Sequence, residues 1–167
     1  LRPGKRPTGA ENAMIMKRVF GLLRQHWPQT HIVLRGDGHF ANPELMELIV
    51  ADGNADFIFG LGGNAVLSRK AEGLMKNARG HLDLHRSLAA QGLGPAVTAA
   101  RLFGEFEYAA KSWPQAFRVV LKAEVLPGSG GVPDKDNERF VVTSMRGPSP
   151  RTLYQQDYCA RGQAENW

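Results

Sequence analysis

Helix and strand signals alternate over the first 60 residues, and this alternation is the strongest constraint on the fold. The capping-box sequence Thr8-Gly-Ala-Glu11 predicts the start of a helix, which Pro28 ends. Residues 31–35 predict a short strand, Asn42-Pro43 a second helix start, and residues 56–60 a second buried strand. Because these elements follow one another through short connections, we expect an α/β fold with parallel strands flanked by helices.

The inward faces of the two helices are predicted from apolar spacing. In the second helix Leu45, Leu48 and Ile49 are expected to face the core, and Asp52-Gly53 to end the helix. The expected stripe of the first helix consists of Met14, Ile15, Val19, Leu22, Leu23 and Trp27.

The pattern changes in the second half of the chain. Residues 64–79 predict a helix closed by Gly80, and residues 81–100 are weakly patterned. Residues 102–108, 118–125 and 140–144 predict three strands joined by loops, which favours an antiparallel meander. Ser149-Pro150 predicts the start of a final helix. We therefore expect an α/β core over residues 1–60, a β-rich insertion over 61–145 and a final core helix over 146–167.

Composition limits the classes of protein that fit. The 167 residues are 43% hydrophobic and 22% charged, which is typical of a soluble globular domain with a real core. The chain has 21 Lys and Arg against 16 Asp and Glu, and this net positive charge favours an anionic partner such as nucleic acid. Cys159 is the only cysteine, which excludes an intrachain disulfide and fits a reducing cytoplasm. No apolar run reaches the ~18 residues of a membrane span.

Asp37 is the first candidate site residue. It stands between Gly36 and Gly38, just after the first predicted strand. An Asp in such a position is often only a turn former. The flanking glycines also let a large ligand approach the backbone, and ligands bind at the carboxyl ends of strands in open α/β sheets. The adjacent His39 is expected to support the loop rather than to bind a metal ion.

Four residues near the end of the chain form the second candidate group. Tyr154, Tyr158, Arg161 and Glu165 are spaced by three and four residues, so an α-helix would place them on one face. Arg suits phosphate and Glu suits a hard metal ion. The plainer interpretation is a solvated helix face on which Arg161 pairs with Glu165, a contact of little energetic value.

Three other patterns carry weaker alternatives. The run from Gly60 to Ala65 matches the dinucleotide pattern G-x-G-x-x-A, although no convincing second strand supplies an acid about 20 residues later, where only Asp83 stands. The alternating His81, Asp83 and His85 could bind a transition metal, but a solvated polar segment is the commoner arrangement. Trp113 lies between Lys111 and Arg118 and could stack a nucleic-acid base, although a Trp near a strand start is more often core.

The two main candidates together carry a family resemblance. Arg35-Gly-Asp37-Gly-His-Phe40 at a strand end, followed after a long interval by Tyr158-x-x-Arg161-x-x-x-Glu165, resembles bacterial insertion-sequence DDE transposases. The second motif is similar to the Y-R-E-K signature of the branch that excises DNA through hairpin ends. The run from Tyr158 to Asn166 most resembles the thirteen-eighty group of insertion sequences.

This resemblance implies a partial ribonuclease-H-like fold with a β-rich insertion before the final helix. Asp37 would match the second catalytic acid and Glu165 the third, and both would bind metal. Tyr158 and Arg161 would hold DNA. Trp113 remains a further candidate DNA contact from the aromatic and basic pattern described above. The implied cofactor is Mg²⁺, with Mn²⁺ as a substitute, and the implied reaction is metal-dependent hydrolysis and strand transfer at transposon ends.

The implied partners are transposon-end and target DNA, with a homodimer as the active complex in the bacterial cytoplasm, associated with the nucleoid. The first catalytic Asp has no candidate before residue 10, and the Lys of the signature would fall beyond Trp167. We therefore expect this chain to be a piece of a transposase with little activity alone. The alternatives are a DNA-binding or regulatory remnant and, less favoured, a nucleotide-binding oxidoreductase module.

Overall fold

A computed structural model describes residues 7–160 and 162. In chain order it contains α1 (Gly9–His26), β1 (Ile32–Gly36), α2 (Pro43–Asp52), β2 (Ala55–Leu61), α3 (Ala65–Ala90), β3 (Ala100–Tyr108), β4 (Phe117–Leu126), β5 (Lys135–Thr143), α4 (Pro150–Thr152) and a π-helical segment, Leu153–Tyr158. Within these residues, no helix combines the length and the apolar character needed to cross a membrane.

The starts of the first two helices follow from the sequence signals. The Thr8 hydroxyl accepts a hydrogen bond from the Glu11 amide at 3.2 Å, and the Glu11 carboxylate accepts one from the Thr8 amide at 2.7 Å. The Asn42 side chain accepts from the Leu45 amide at 3.0 Å, with Pro43 as the first helical residue. These bonds satisfy amides that would otherwise lack a partner in the first turn, so the predicted starts are confirmed.

The strands form one five-stranded mixed sheet in the order β1-β2-β5-β4-β3. β1 and β2 are parallel, with Ile32 opposite Ala55 and Gly36 opposite Phe59. β3, β4 and β5 form an antiparallel meander, and β5 pairs antiparallel with β2. The predicted parallel pair and the predicted meander are therefore both confirmed, and the meander extends the sheet that β1 and β2 begin.

Two predicted boundaries were wrong. α3 does not close at Gly80 but continues to Ala90, because its buried stripe runs on from Ala78 to Leu82 across that glycine. β5 begins at Lys135 rather than at residue 140, since its first five residues are polar and give no apolar strand signal.

One face of the sheet is covered by the three long helices, and we call it the helical face. Its strand residues include Phe57, Phe59, Val119, Leu121 and Val142, which are at most 2% exposed. They pack with residues of all three helices, namely Phe20, Leu45, Met46, Ile49, Leu67, Ala71, Met75, Ala78 and Leu82. The predicted inward residues Leu45 and Ile49 are fully buried, and Leu48 packs against the same core.

The opposite face, which we call the open face, has a much smaller apolar cluster. Its buried members are Ile58, Val120, Val141, Leu153 and Tyr154. Because successive strand residues point to opposite sides, Ile58 lies here while Phe57 and Phe59 lie on the helical face. The π-helical segment supplies two of these residues, so it covers part of the open face over β2, β5 and β4.

The predicted stripe of α1 was wrong. Met14, Ile15, Val19, Leu22 and Trp27 are exposed, and Leu22 retains 60% of its accessible surface. The face that meets the core is instead formed by Asn12, Met16 and Phe20, which recur every four residues. Asn12 is buried with its side-chain amide directed to the His39 carbonyl at 3.4 Å, so a polar residue occupies part of the inward face.

Candidate active site

Asp37 lies in the turn that follows β1, at the carboxyl end of the parallel pair. Its Oδ1 accepts a hydrogen bond from the His39 amide at 2.9 Å, and its Oδ2 lies 3.1 Å from His39 Nδ1. The Asp37 side chain is 41% exposed. The carboxylate is therefore held in a defined orientation by its own turn while remaining accessible to a ligand.

Gly60, at the end of β2, is where the Asp37 turn and the π-helical segment meet. A Cβ atom at this glycine would lie 2.6 Å from Tyr158 Oη and 3.2 Å from the Gly38 nitrogen. A Cβ at Gly38 would in turn lie 3.5 Å from the Gly60 carbonyl oxygen. Only a residue without a side chain allows the three segments to approach this closely. Gly60 thus brings Tyr158 and the residue after Asp37 to one point.

A cleft of about 290 Å³ opens at this point. Its floor is the glycine-rich turn after β2, and its walls come from β5 and the π-helical segment. The lining residues are Gly38, Gly60, Leu61, Gly62, Gly63, Glu138, Arg139, Phe140, Tyr154 and Tyr158. The cleft combines accessible backbone, a guanidinium and two phenols, which are groups that suit a phosphate-bearing ligand.

The π-helical segment is fixed to the sheet at several points. Leu153 and Tyr154 are buried against Val120 and Val141, and the Arg35 side chain donates to the Asp157 carbonyl at 3.0 Å. The Tyr154 and Tyr158 rings lie 5.7 Å apart. Burial raises the pKa of Tyr154 to about 12, so this phenol stays protonated at neutral pH. Single π-helical turns are frequent at functional sites.

Two charged residues of β5 complete the cleft from opposite sides of that strand. Glu138 accepts a hydrogen bond from the Ser68 hydroxyl of α3, which engages its carboxylate. Arg139 points to the open face and is exposed. The sequence did not identify Arg139, because a lone Arg in a polar run gives no signal until the strand register is known.

Only part of the predicted site falls within the described residues. Arg161 and Glu165 lie outside them, so their predicted roles stay predictions. Tyr158 lies in the cleft next to the Asp37 turn. Its neighbour Tyr154, predicted on the same helix face, is buried in the open-face cluster, so the plainer interpretation of a fully solvated face does not hold for it. The final helix also differs from the expected α-helix, because residues 153–158 are π-helical.

Trp113 does not line the cleft. It is half-buried against Tyr108 and Phe117, with ring centroids 5.4 and 5.9 Å away, and it packs against the core of the helical face. The arrangement accounts for its position by packing alone. Its predicted contact with DNA stays a prediction.

The glycine run and the His81, Asp83 and His85 pattern lie at positions that the fold itself explains. Asn64 caps α3 by accepting from the Val66 and Leu67 amides, both at 3.0 Å, so the glycine run joins a strand to a helix. Asp83 lies inside α3 and not at the end of a second strand, which is the position that the dinucleotide pattern requires. His81 and His85 also lie on α3, with ring centroids 6.2 Å apart. Among the residues that the structure describes, no three His, Cys, Asp or Glu side chains cluster as a metal site.

Within the described residues, the site offers one candidate ligand for a divalent cation, the Asp37 carboxylate. The Asp37 carboxylate is a hard oxygen donor of the kind that Mg²⁺ and Mn²⁺ prefer, and its side chain is 41% exposed. His39 contacts the carboxylate from the turn side and so fixes its orientation, as hydrogen-bonding neighbours of metal ligands do.

Comparison with known proteins agrees with this geometry. The family model described as "Transposase DDE domain group 1" matches residues 1–167, the whole chain. No curated protein and no solved structure gives a significant match. The family implies a ribonuclease-H-like fold, a DNA substrate and, in general, the use of divalent metal ions. Because the match covers every residue of the sequence, the chain belongs to the group 1 family of transposase DDE domains.

Proposed function

We propose that this chain is the catalytic-domain region of an insertion-sequence transposase from the hairpin-forming Y-R-E-K branch, thirteen-eighty group. Its reaction would be hydrolysis of a phosphodiester at a transposon end, followed by strand transfer. The observation that carries the proposal is the convergence at Gly60. There the Asp37 turn and Tyr158 meet beside a cleft at the carboxyl ends of two parallel strands.

Each residue has a distinct proposed role. Asp37 and Glu165 would hold the metal ion, Mg²⁺ with Mn²⁺ as a substitute, which supplies charge stabilisation for an in-line displacement at phosphorus. Tyr158 would donate a hydrogen bond to a phosphate oxygen in the cleft, and Arg161 would pair with the same backbone. His39 would hold the Asp37 carboxylate in place through the contacts described above. Trp113 is proposed as a peripheral DNA contact.

The proposal includes the domain division and the assembly state. Residues 1–60 and 146–167 would form the ribonuclease-H-like core, and residues 61–145 the β-rich insertion. The active complex would be a homodimer that holds two transposon ends. An alternative from a different class is a DNA-binding or regulatory remnant that occupies the same DNA without cleaving it.

Metal binding by Asp37 is the most direct test. Mn²⁺ titration of the chain, followed by calorimetry or by electron paramagnetic resonance, is expected to show a site that Asp37→Asn weakens at least about tenfold, or by about 1.4 kcal/mol. Asp83→Asn is the matched control, because Asp83 is an exposed carboxylate on α3. Equal Mn²⁺ affinity in the parent chain and in Asp37→Asn would contradict the proposed role.

A nicking assay tests whether the chain has metal-dependent activity and whether Asp37 takes part in it. Supercoiled DNA is incubated with the chain and Mg²⁺ or Mn²⁺, and any metal-dependent nicking is expected to disappear in Asp37→Asn. DNA binding without nicking in either protein fits both the remnant and a piece of a transposase with little activity alone, and the Mn²⁺ titration then separates the two. Nicking that persists in Asp37→Asn rules out Asp37 as part of the reaction centre.

A further inference from the structure

The first five residues of β5 sort their charges between the two sides of the sheet. In Lys135-Asp136-Asn137-Glu138-Arg139, Asp136 bonds to Arg79 and Glu138 to Ser68, both on α3. Because strand residues alternate in direction, Lys135 and Arg139 point to the open face. Both are exposed, and neither forms an ion pair with another residue of the ranges 7–160 and 162. A sequence of mixed charge thus gives a strand that is basic on one side.

The neighbouring strands add cations to the same side. Register places Arg101 of β3 and Asn137 of β5 on either side of Glu124 of β4, and Lys122 next to Arg139. Glu124 is the one carboxylate in these two rows of the described sheet, and it is 5% exposed. It accepts hydrogen bonds from Arg101, Lys122 and Asn137. The Glu124 carboxylate is therefore buried beneath the cations and is not exposed to solvent beside them.

Further along the open face, Glu105 and Glu107 each form an ion pair with an arginine. Glu105 pairs with Arg118, and Glu107 pairs with Arg146 at 2.6 Å. Positive charge is consequently concentrated on the half of the face formed by Lys135, Arg139, Arg101 and Lys122, which we call the basic face.

The basic face begins at the cleft. Arg139 lines the cleft itself, and Lys122 Nζ lies 5.7 Å from the centre of the Tyr154 ring, which also lines it. From Arg139 to Lys135 is four residues of strand, or roughly 13 Å at the usual rise. DNA advances about 3.4 Å for each phosphate of one strand, so this length spans about four phosphates.

We propose that the basic face binds the phosphate backbone of the duplex next to the phosphodiester held at the Asp37 cleft. Arg139 contacts the backbone nearest the cleft, and Lys135 contacts it about four nucleotides farther along. Glu124 keeps Arg101 and Lys122 in position and does not itself touch DNA. This inference rests on the proposed function and adds the path that the DNA takes from the cleft.

The test is the salt dependence of binding to a labelled duplex of about 20 bp of mixed sequence, measured by fluorescence anisotropy between about 50 and 200 mM salt. The probe is sequence-neutral because phosphate contacts carry no sequence information. Lys135→Ala with Arg139→Ala is expected to lower the magnitude of the log–log slope by about 1.8, since each phosphate contact contributes about 0.9.

The matched control is Arg69→Ala with Lys76→Ala. These two residues are an exposed Arg and Lys on α3, on the other side of the sheet, so the same charge is removed. The control is expected to keep the parent slope. Circular dichroism checks that both double variants are folded.

The outcomes separate the two proposals. An unchanged slope in the Lys135/Arg139 variant, or an equal fall in the control, overturns the basic face as a DNA path while leaving the proposed function intact. A parent chain that does not bind the duplex at all contradicts the proposed function itself.

Discussion

On the helical face of the sheet, three helices bury a continuous set of large side chains, whereas on the open face only five of the described residues form a buried cluster. The rest of the open face carries charges and borders the cleft. Buried apolar area contributes roughly 25 cal/mol per Å², so the helical face, with its larger buried cluster, contributes more of the apolar stabilisation. The difference teaches that the open face can carry ligand-binding groups at small cost, because the other face stabilises the fold.

The largest expected effect is the loss of a side chain from the helical face. Phe59 is fully buried and stacks on Phe57 with ring centroids 5.0 Å apart. Phe59→Ala is expected to lower the free energy of unfolding by about 4 kcal/mol, because it removes the apolar contact and leaves a cavity. Urea denaturation of the two proteins measures the difference.

Val33→Ala is the control on the open face. Val33 is 39% exposed on β1, so its truncation is expected to cost less than about 0.5 kcal/mol. Similar losses of unfolding free energy in Phe59→Ala and Val33→Ala would contradict the conclusion that the helical face contributes more to stability than the open face.

The second effect concerns Glu124, the carboxylate buried beneath the basic face. Burial by itself raises the pKa of Glu124, but hydrogen bonds from Lys122, Arg101 and Asn137 outweigh it and lower that pKa to about 2. The ionised form is therefore favoured in the folded state. Its contribution to stability is fully present above the ordinary pKa of 4.5 and is lost as the pH falls through about 2.

Glu124→Gln is expected to destabilise the protein by about 3 kcal/mol at neutral pH, since each pKa unit corresponds to about 1.4 kcal/mol. Stability measured between about pH 5 and pH 2 is also expected to become less steep in the variant. Glu107→Gln is the control, because its pair with Arg146 is half exposed and is worth little. A pH profile identical to that of the parent would show that Glu124 is not the buried anion inferred here.

The smallest of the three effects tests the meeting point at the cleft. Gly60→Ala would push the new Cβ against Tyr158 Oη and the Gly38 amide. We expect a loss of about 1–3 kcal/mol, because the phenol can move aside but the backbone of the Asp37 turn yields less easily. Thermal unfolding gives the stability, and Mn²⁺ titration reports whether Asp37 has moved.

Gly62→Ala is the stability control for that experiment, since a Cβ there has no neighbour within 4 Å. It is expected to change the free energy of unfolding by less than about 0.5 kcal/mol. If Gly60→Ala were as well tolerated, the close approach of the three segments would not be a constraint on the site.

Local signals predicted the first half of the fold well. Thr8, Asn42, Pro43 and Gly53 each act through a bond or a backbone angle within a few residues, so the sequence alone contains the information. The meander was also predictable, because its middle strand is strongly apolar. What could not be predicted was the pairing of β5 with β2, since strand order depends on contacts between residues 79 to 85 positions apart.

The candidate site divides in the same way. Asp37 could be found because it follows a strand and stands between glycines. Arg139 and the close contact at Gly60 could not be found, because both depend on which strand faces which segment. The stripe of α1 was misassigned for a related reason: helical spacing gave an apolar face, but the tertiary contacts select Asn12, Met16 and Phe20 instead.

The π-helical segment makes the direction of its side chains sensitive to the number of residues in it. Spacings of three and four keep side chains in phase only on an α-helix, and the segment from Leu153 to Tyr158 does not follow that phase. Removing a single residue before Tyr158 would turn that side chain to a different direction about the helix axis, because each helical residue advances the chain by a large angle. An insertion or deletion in this segment would therefore change the direction of the Tyr158 side chain, and it would decide whether Tyr158 still contacts Gly60.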